Sequence, residues 1–595
     1  MFLRSIGSPS IRRLLFLLVF LSASFLIRCY FYRPYFGIDD SNITQVYGWN
    51  LAHGNGWRYF PGAEHVEGTT SFLYTLLWAV AFLCPYPHLV MQGVNMFCCL
   101  VACWFALRCL EALRDPDPAE PWITLPFLAY ILWLALNPGI LTWSTITLMD
   151  SSVWTALVIM AVYLLCRLSH ERDFSSYSWR MAFVTALAAL TRPESVALVP
   201  VFLILAGSIA YWFSRSGRTA FLTVAFPALT YVIVGGGLTL FRYLYFGYPW
   251  PNTYYAKVST DPIYNLKQGL VYLSRTNLAS PFLIPLIVLT IVLATRAGIL
   301  LLRGADSGER HWSLLSIALS SLALLTITIM GGGDHFQQGR FVVQALMLVP
   351  LPLIAGLHWA AKPPLPAPMV ALCALPLLLG LAYVQVKVVE GANDVSHEYT
   401  IANDGMRLGE ILNDAFPDPK PSVGVITAGG IARTYKGYVV DLLGLNNTLV
   451  AHSGTSRAGF KNHASFSTKA FYQLLPDLVF PQLVGADSSL ASFVDEVTHG
   501  ISYDQSFQNQ YRYVELRVPN SSEGNSFRGL PAPLKRFMGP RPFVPSGVAV
   551  FIKRSLFDHI NPDVLTTSLE NACLPRGRLP ESRDCVGTVN EALVK

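Results

Sequence analysis

Long apolar segments recur over the first 388 residues, and short polar stretches separate them. A helix that crosses a bilayer needs about 20 consecutive, predominantly apolar residues. The segments near that length, together with a shorter one at 179–191, lie at 12–30, 88–107, 122–141, 151–167, 194–213, 221–244, 280–302, 313–330, 341–360 and 366–387. This pattern predicts a polytopic α-helical membrane protein with about eleven transmembrane helices.

The distribution of Lys and Arg between the apolar segments predicts the orientation. Basic residues gather at 108–114, 167–180, 215–218 and 296–310, with a weak cluster at Lys362. Cytoplasmic loops of membrane proteins carry an excess of Lys and Arg. We therefore expect the N-terminus inside and the C-terminus outside. Since a span at the semi-apolar segment Ser71–Cys84 would break this alternation, that segment predicts a helix at the outer membrane surface.

The composition changes after residue 388. Residues 389–595 lose the long apolar segments and gain Gly, Asn, Asp and Ser. Short apolar or proline-led stretches predict strands at Pro419–Thr427, Tyr438–Leu442 and Val548–Ile552, and helical spacing predicts a helix at 404–416. We expect two domains: a transmembrane module at 1–388, with an outer loop at 31–87, and an extracytoplasmic α/β domain at 389–595.

Composition supports the membrane class. Hydrophobic residues make up 53% and charged residues 13% of 595 positions, with a mean hydropathy of +0.42. Soluble proteins carry about 25% charged residues. The net charge of +6 is modest and spread along the chain, so we expect no nucleic-acid partner.

The ten cysteines show no metal-binding spacing. Cys98, Cys99 and Cys103 lie in an apolar segment without His or Asp neighbours, which is typical of small apolar residues in a helix. Cys573 and Cys585 lie in a polar tail with eleven residues between them. They would be able to pair if that tail is extracytoplasmic.

Ionisable residues collect in the loops that this orientation places outside, beginning with the polar stretch 36–70. A single exposed carboxylate is usually just solvated. Ionisable groups beside apolar surroundings are costly, however, and those that occur are usually functional. We therefore expect these segment ends to converge on one active site. Its candidates are Asp39, Asp40, His53, Glu67, Asp150, Arg192, Glu194, Arg242, Asn252, Tyr254, Tyr255, Lys257, Asp334, His335 and Arg340.

The residue types of this set suit particular chemistry. Carboxylates deprotonate a nucleophile or bind a cation. The PNTYY stretch at 251–255 joins a rigid turn to amide and aromatic groups that suit a sugar, although an interfacial aromatic belt has the same pattern. Arg192 and Glu194 flank Pro193, which indicates either a helix break with a salt bridge or part of the site. Glycines 331–333 allow backbone amides to approach an anion.

Several segments together resemble a known family. GIDDSNITQVYGWNLAHGNGWRYFPGAEHVEGTTSFLYTLL at 37–77 resembles the first outer loop of the bacterial GT-C membrane glycosyltransferases, specifically those similar to the mycobacterial terminal β-(1→2) arabinofuranosyltransferase. Further similar segments are TLMDSSVWTAL, LAALTRPESVAL, FGYPWPNTYYAK, GGGDHFQQGRF and VVDLLGLNN. Asp150 and Ser151 depart from the family, which commonly has Glu and Thr there.

The resemblance implies a GT-C fold and inverting transfer of D-arabinofuranose from a polyprenyl-phosphate donor at the outer face of the bacterial inner membrane. It implies Asp40 as the catalytic base with Asp39 as its helper, or the reverse. The donor phosphate would be bound by Arg192, Lys257, His335 and Arg340. The sugar or acceptor pocket would be formed by Asp150, Glu194, Asn252, Tyr254, Tyr255, Asp334, Glu67 and His53. A divalent cation at Asp39 and Asp40 is compatible with this scheme but is not required.

The acceptor and the alternative function stay open at this point. The chain also resembles pseudomonad enzymes that arabinosylate type IV pilins, so a pilin and a cell-envelope glycan are both candidate acceptors. His452, Lys461 and His463 are candidates to face it. The alternative is a transporter or flippase of polyprenyl-linked glycan or lipid, which would place its charges near the membrane midplane on repeated halves.

Overall fold

The computed structural model describes residues 9–114, 121–280, 282–304, 308–356, 395–454, 456–485, 489–517, 531–540, 545–557, 565–569 and 572–574, with positions 375, 378–380 and 383. The predicted span at 366–387 therefore lies almost entirely outside the described residues. Cys573 takes part in a disulfide bond, and its predicted partner Cys585 lies outside them.

Helices dominate the described chain up to residue 356. In chain order they are α1 (Pro9–Tyr32), α2 (Asp39–Ala52), α3 (Phe72–Ala81), α4 (Pro87–Ala112), α5 (Leu125–Leu136), α6 (Pro138–Thr145), α7 (Ser151–Glu171), α8 (Phe174–Thr191), α9 (Ser195–Ser214), α10 (Gly217–Phe246), α11 (Asn252–Lys257), α12 (Pro262–Ala279), α13 (Leu283–Leu302), α14 (Gly308–Met330), α15 (Val343–Leu348) and α16 (Leu351–Gly356). A 3₁₀ turn, Arg340–Val342, precedes α15.

Seven helices in the described part of the chain are long and apolar enough to cross a membrane. They are α1, α4, α7, α9, α10, α13 and α14. The pair α5 and α6, bent by 73°, makes an eighth if it is one span. The bend falls at Asn137 and Pro138, because proline lacks an amide hydrogen and disfavours the helical conformation in the residue before it. The chain is therefore a polytopic helical membrane protein.

The predicted count of eleven spans is matched in part. Eight predicted segments coincide with the seven long helices and the bent pair. The segment 179–191 falls in α8, which is not one of the seven, and 341–360 falls in the short apolar helices between Arg340 and Gly356. Ser71–Cys84 contains the ten-residue helix α3, which suits the predicted surface helix by its length. The full count and the membrane orientation stay predictions.

Helix α7 lies at the centre of the bundle. Of its most apolar 18-residue window, 83% is buried within the protein, against 17% for α10 and 28% for α13. Exposed apolar side chains on α10, such as Leu229, Val232 and Ile233, suit contact with lipid. Residues at the start of α7 and near the end of α14 line a cavity.

Residues 395–574, called the C-terminal region here, combine helices with a sheet. The helices are α17 (Ser396–Ala415), α18 (Gly429–Thr434), α19 (Thr448–Ala451), α20 (Thr468–Leu474), α21 (Ser489–Val497), α22 (Gln505–Gln510), α23 (Ala532–Met538) and α24 (Arg554–Phe557), with a 3₁₀ turn at Ile501–Tyr503. The strands are β1 (Val423–Val425), β2 (Val439–Asp441), β3 (Leu478–Val484), β4 (Tyr511–Arg517), β5 (Gly547–Lys553) and β6 (Leu565–Leu569).

The six strands form one mixed sheet in the order β2-β1-β3-β5-β4-β6. Strand β1 pairs in parallel with β2 and β3, and the remaining pairs are antiparallel. The three predicted strands and the predicted helix at 404–416 are confirmed, because they coincide with β1, β2, β5 and α17. Whether this region is an independent extracytoplasmic domain stays a prediction.

The C-terminal region packs directly on the polar loops of the helical module. Ile43, Tyr47 and Trp57 share an apolar cluster with Leu408 and Ile431. The approach is close: a Cβ atom at Gly429 would lie 1.9 Å from the backbone oxygen of Asp39. Such a contact excludes any side chain at Gly429, so the glycine fixes how α18 meets α2.

Candidate functional site

A cavity of ≈ 460 Å³ lies where the ends of the membrane helices meet the polar loop after α2 and the C-terminal region. Pockets for small-molecule ligands typically enclose about 300–1,000 Å³. Among the described residues, the charged side chains in its wall are Asp40, Asp150, Glu194, Arg192, Lys257, Arg340 and Lys461. Its apolar side chains include Ile43, Tyr74, Met149, Trp154, Leu324, Ile327 and Phe341. The cavity is therefore amphipathic and suits a ligand with an anionic and an apolar part.

Asp40 presents its carboxylate to this cavity from the first turn of α2. Lys257 Nζ lies 3.3 Å from Asp40 Oδ2, and Arg340 Nη1 lies 3.9 Å from the same oxygen. Burial acts to raise the pKa of Asp40, but the charges of Lys257, Arg340 and His335 outweigh it and lower the pKa. Asp40 is thus an ionised carboxylate beside two cations.

Asp334 holds Arg340 in the cavity wall. Arg340 Nε lies 2.7 Å from Asp334 Oδ2. Asp334 Oδ1 accepts hydrogen bonds from the backbone amide of His335, at 2.9 Å, and from Asn462 Nδ2, at 2.7 Å. Burial acts to raise the pKa of Asp334, yet Arg340 and His335 lower it. The guanidinium is therefore fixed by a permanently ionised carboxylate that does not itself line the cavity.

His335 lies behind this wall. Its Nδ1 is 3.3 Å from Asp334 Oδ1, and its ring meets that of His463 at a centroid distance of 4.6 Å. The preceding glycines let the loop pack closely, since a Cβ at Gly333 (φ +63°) would lie 2.4 Å from Tyr272 Cβ. His335 thus contributes charge to Asp40 without lining the cavity, and its predicted contact with a phosphate stays a prediction.

Arg192 is held by two carboxylates in the cavity wall. It donates to Glu194 through Nε at 3.1 Å and Nη2 at 2.8 Å, and its Nη1 reaches both oxygens of Asp150 at 3.2 and 3.1 Å. The salt bridge expected across Pro193 is therefore present. Burial acts to raise the pKa of Glu194, and Arg192 lowers it. All three side chains line the cavity, so the helix break at Pro193 is part of the site.

Asp39 faces away from the cavity, toward the C-terminal region. Its Oδ2 accepts a hydrogen bond from the Gly429 amide at 3.0 Å, and its Oδ1 accepts one from the Gly430 amide at 2.7 Å. Burial raises the pKa of Asp39 to about 6, although these two hydrogen bonds act to lower it. Neighbouring positions of a helix point about 100° apart, so the two aspartates at the start of α2 meet different surroundings.

Glu67 forms a buried ion pair with Arg242. Arg242 Nε lies 2.7 Å from Glu67 Oε2, and Arg242 Nη2 donates to Glu67 Oε1 at 2.9 Å. Burial raises the pKa of Glu67 despite this partner. Neither side chain lines the cavity. The pair joins the polar loop to the end of α10.

The remaining predicted residues divide between the cavity and its supports. Tyr254 lines the cavity and is 46% exposed. Asn252 Nδ2 donates to the backbone oxygens of Gly444 and Leu445. Tyr255 packs against His452, at 4.4 Å between centroids. His53 is exposed, stacks on Trp49 and lies outside the cavity wall. Of these three residues of the 251–255 stretch, Tyr254 lines the cavity, while Asn252 and Tyr255 contact the C-terminal region.

Several residues of the cavity carry no sequence signal for it. Trp154 and Gln344 sit within apolar segments, and Asn462 belongs to an ordinary polar loop. Glu398, in the first turn of α17, does not line the cavity, but burial and repulsion from Asp40 and Asp39 raise its pKa to about 8. Lys461 was expected from the sequence only as a candidate to face the acceptor. These residues join the site through tertiary contacts that spacing along the chain does not encode.

No group of three or more His, Cys, Asp or Glu side chains in the described part of the chain is placed to hold a metal ion. Asp39 and Asp40 were the predicted ligands of a possible divalent cation. Their carboxylates point to different partners, so any cation at this site would be held by Asp40 with groups other than Asp39. The cation requirement stays a prediction.

Comparison with known proteins adds no relative to this picture. No protein-family model matches the chain, and no curated protein matches it.

Proposed function

We propose that the chain is a membrane glycosyltransferase that transfers a sugar from a polyprenyl-phosphate donor to an acceptor hydroxyl. One observation carries this proposal. A single amphipathic cavity brings the Asp40 carboxylate together with Lys257 and Arg340 beside an apolar wall. A polyprenyl-phosphate sugar needs the same three elements, which are a proton acceptor, cations for the phosphate and an apolar surface for the isoprenoid.

The reaction follows from the positions of these groups. Asp40 accepts the proton of the acceptor hydroxyl while that oxygen forms a bond to the anomeric carbon. The bond between the anomeric carbon and the phosphate oxygen breaks, and its electron pair leaves with the polyprenyl phosphate. This single displacement inverts the anomeric configuration. Phosphate is a good leaving group, so the chemistry requires no strong general acid.

The cations have two functions in this scheme. Before the donor binds, Lys257 and Arg340 keep Asp40 ionised. When the donor phosphate enters, the same cations are shared with it and stabilise the charge that develops on the leaving oxygen. When Lys257 and Arg340 also bind the phosphate, they attract the Asp40 carboxylate less strongly. The pKa of Asp40 then rises toward the range in which a carboxylate accepts a proton efficiently.

The apolar wall suits the isoprenoid part of the donor. Leu324 and Ile327 lie near the end of α14, and Trp154 and Phe341 add aromatic surface. Since α7 and α14 are membrane-spanning helices by length and composition, an isoprenoid chain reaching this wall stays close to the lipid. The arrangement favours a substrate that the enzyme takes from the bilayer.

The sugar, the acceptor and the orientation rest on sequence. The resemblance to arabinofuranosyltransferases supports D-arabinofuranose as the sugar. The distribution of basic loops supports a periplasmic active site in the bacterial inner membrane. A type IV pilin and a cell-envelope glycan are both suitable acceptors, because each presents hydroxyl groups at that face.

The decisive experiment measures transfer of radiolabelled arabinose from polyprenyl-phosphoryl-arabinofuranose to membrane and pilin fractions. We expect wild-type protein to label one of these fractions, and the labelled band names the acceptor class. Asp40→Asn keeps the side-chain size but removes the base, so we expect transfer to fall about 10²–10⁴-fold at unchanged protein level. Full activity of this variant would refute the assigned base. Donor flipping by wild type without any transfer would favour the transporter instead.

A further inference from the structure

Lys461 reaches the cavity from the C-terminal region, about 120 residues after the last cation that the helical module supplies. It lines the same cavity as Lys257 and Arg340. Its ammonium group donates to the backbone oxygen of Gly331 at 3.4 Å. A Cβ at Gly332 would lie 2.6 Å from Lys461 Nζ, so a residue without a side chain makes room for the ammonium group.

Lys461 differs from the other cations in its partners. Arg192 contacts Asp150 and Glu194, while Lys257 and Arg340 contact Asp40. Within the described ranges, no carboxylate forms an ion pair with Lys461. Burial lowers the pKa of Lys461, and repulsion from Lys257 adds to this effect, although Asp334 opposes it. Because the Lys461 ammonium group has no carboxylate partner within these ranges, an anionic ligand bound beside it would stabilise its charge.

The segment that carries Lys461 is held firmly against the helical module. Ser259 Oγ donates to the Ser456 backbone oxygen at 2.9 Å, and Tyr264 Oη donates to that of Gly459 at 2.8 Å. Arg457 Nε donates to the Tyr255 backbone oxygen at 2.9 Å.

Asn462, next to Lys461, donates to Asp334 Oδ1 at 2.7 Å. Asp334 in turn holds Arg340, so Lys461 and Arg340 are positioned through one shared carboxylate. The chain segment that carries Lys461 is therefore fixed beside Arg340.

We propose that Lys461 is a phosphate-binding residue, so that the C-terminal region completes the donor site by supplying a cation that has no carboxylate of its own. This inference rests on the proposed function, since it takes the phosphate of a polyprenyl-phosphate sugar as the ligand. Lys257 and Arg340 must also keep Asp40 ionised, whereas Lys461 is free to bind phosphate alone. The cavity is complete only when the C-terminal region is docked on the helical module.

The experiment compares binding of polyprenyl phosphate and of the neutral polyprenol of the same length to the purified full-length protein in detergent. We expect Lys461→Gln to weaken polyprenyl-phosphate binding about 10- to 100-fold, the loss of one charge-assisted hydrogen bond. Polyprenol binding should stay unchanged, because a general disturbance of the cavity would weaken both ligands. Lys461→Arg should restore most of the affinity. Lys469→Gln, at an exposed lysine of the same region, is the matched control.

The outcomes separate this inference from the proposed function. If Lys461→Gln binds polyprenyl phosphate as well as wild type does, the inference is wrong while the donor class stands. A variant that loses both ligands equally would assign Lys461 a structural role and would also overturn the inference. If wild type does not distinguish polyprenyl phosphate from polyprenol, the proposed donor itself fails. Unchanged donor affinity with a raised KM for the acceptor would move Lys461 to the acceptor side.

Discussion

Asp39 and Asp40 are adjacent at the start of α2, but their carboxylates face two different regions of the molecule. Asp39 accepts hydrogen bonds from two backbone amides of the C-terminal region and is closed off from the cavity. Asp40 lines the cavity beside Lys257 and Arg340. Burial raises the pKa of Asp39 to about 6, whereas cations lower that of Asp40. One aspartate therefore contacts the C-terminal region and the other presents its carboxylate to the cavity.

Two adjacent carboxylates in a sequence therefore need not act as a pair. Asp39 was expected to act as the helper of the base Asp40, or the reverse. In the structure, Asp39 instead accepts hydrogen bonds from the first residues of α18, and Asp40 lines the cavity. We infer that Asp39 affects catalysis through the position of the C-terminal region, which carries Lys461 and Asn462 into the cavity wall.

The largest effect is expected from Gly429→Ala, which disrupts the contact between α18 and Asp39 of α2. The new Cβ would lie 1.9 Å from the Asp39 backbone oxygen, and backbone atoms cannot move aside as a side chain can. Overpacking of this kind typically costs about 1–3 kcal/mol. We expect a lower thermal unfolding midpoint in detergent, faster proteolysis of the C-terminal region and reduced sugar transfer. Thermal melting, limited proteolysis and the transfer assay check these outcomes.

Gly93→Ala is the control for this substitution, because no atom lies within 4 Å of a Cβ at Gly93 in α4. Alanine in a helix interior should leave stability unchanged or slightly raised. If Gly429→Ala has the same unfolding midpoint and transfer rate as the control, α18 does not pack closely against Asp39 of α2. Transfer lost at full stability would instead place Gly429 in the reacting site.

The next largest effect is expected from removing the charge of Lys257, a cation in the cavity wall. Lys257→Gln removes a cation 3.3 Å from Asp40 Oδ2, so the pKa of Asp40 should rise. A base must be ionised to act, and the acidic limb of the kcat/KM profile should therefore move to higher pH. The transfer rate measured over a series of pH values checks this shift.

Lys267→Gln, at an exposed lysine of α12, removes the same charge outside the cavity and should leave the profile in place. An unshifted acidic limb in Lys257→Gln, with only KM raised, would show that Lys257 binds donor without tuning Asp40. Because Lys257→Gln leaves the contact of Asp39 with α18 intact, its unfolding midpoint should match that of wild type.

Much of the fold could be predicted because each element follows from a local pattern. Apolar length predicted eight segments that coincide with long helices or the bent pair, and short apolar or proline-led stretches predicted β1, β2 and β5. The helix break before Ser195 followed from Pro193. Each of these features depends on residues that are close in the sequence, so a single sequence contains the necessary information.

The site could be predicted in its residue types but not in its partners. Asp40, Arg192, Lys257 and Arg340 were expected to converge, and they line one cavity. The separate surroundings of Asp39 depend on α18, which follows it by about 390 residues and is not encoded in any spacing near the motif. For the same reason Glu67, expected in the pocket, was not recognised as a partner of Arg242, and Lys461 was not recognised as a cavity cation.

The smallest effect, and the one that separates the two aspartates most sharply, is the pH dependence of Asp39→Asn. In the folded protein the pKa of Asp39 is raised from 3.8 to about 6. A raised pKa of an acid means that its stabilising contribution is fully present below the unfolded value and is lost as the pH rises through the folded value. The unfolding free energy of wild type minus that of Asp39→Asn should therefore fall between about pH 4 and pH 7.

Unfolding midpoints of both proteins, measured in one detergent at several pH values across that range, check this expectation. Asp414→Asn, at an exposed aspartate of α17, is the control and should differ from wild type by the same amount at every pH. A difference that instead grows with pH would mean that the ionised carboxylate is the form that the Gly429 and Gly430 amides stabilise. The desolvation of Asp39 would then be the weaker effect, and docking would be strongest in the pH range where Asp40 is also ionised.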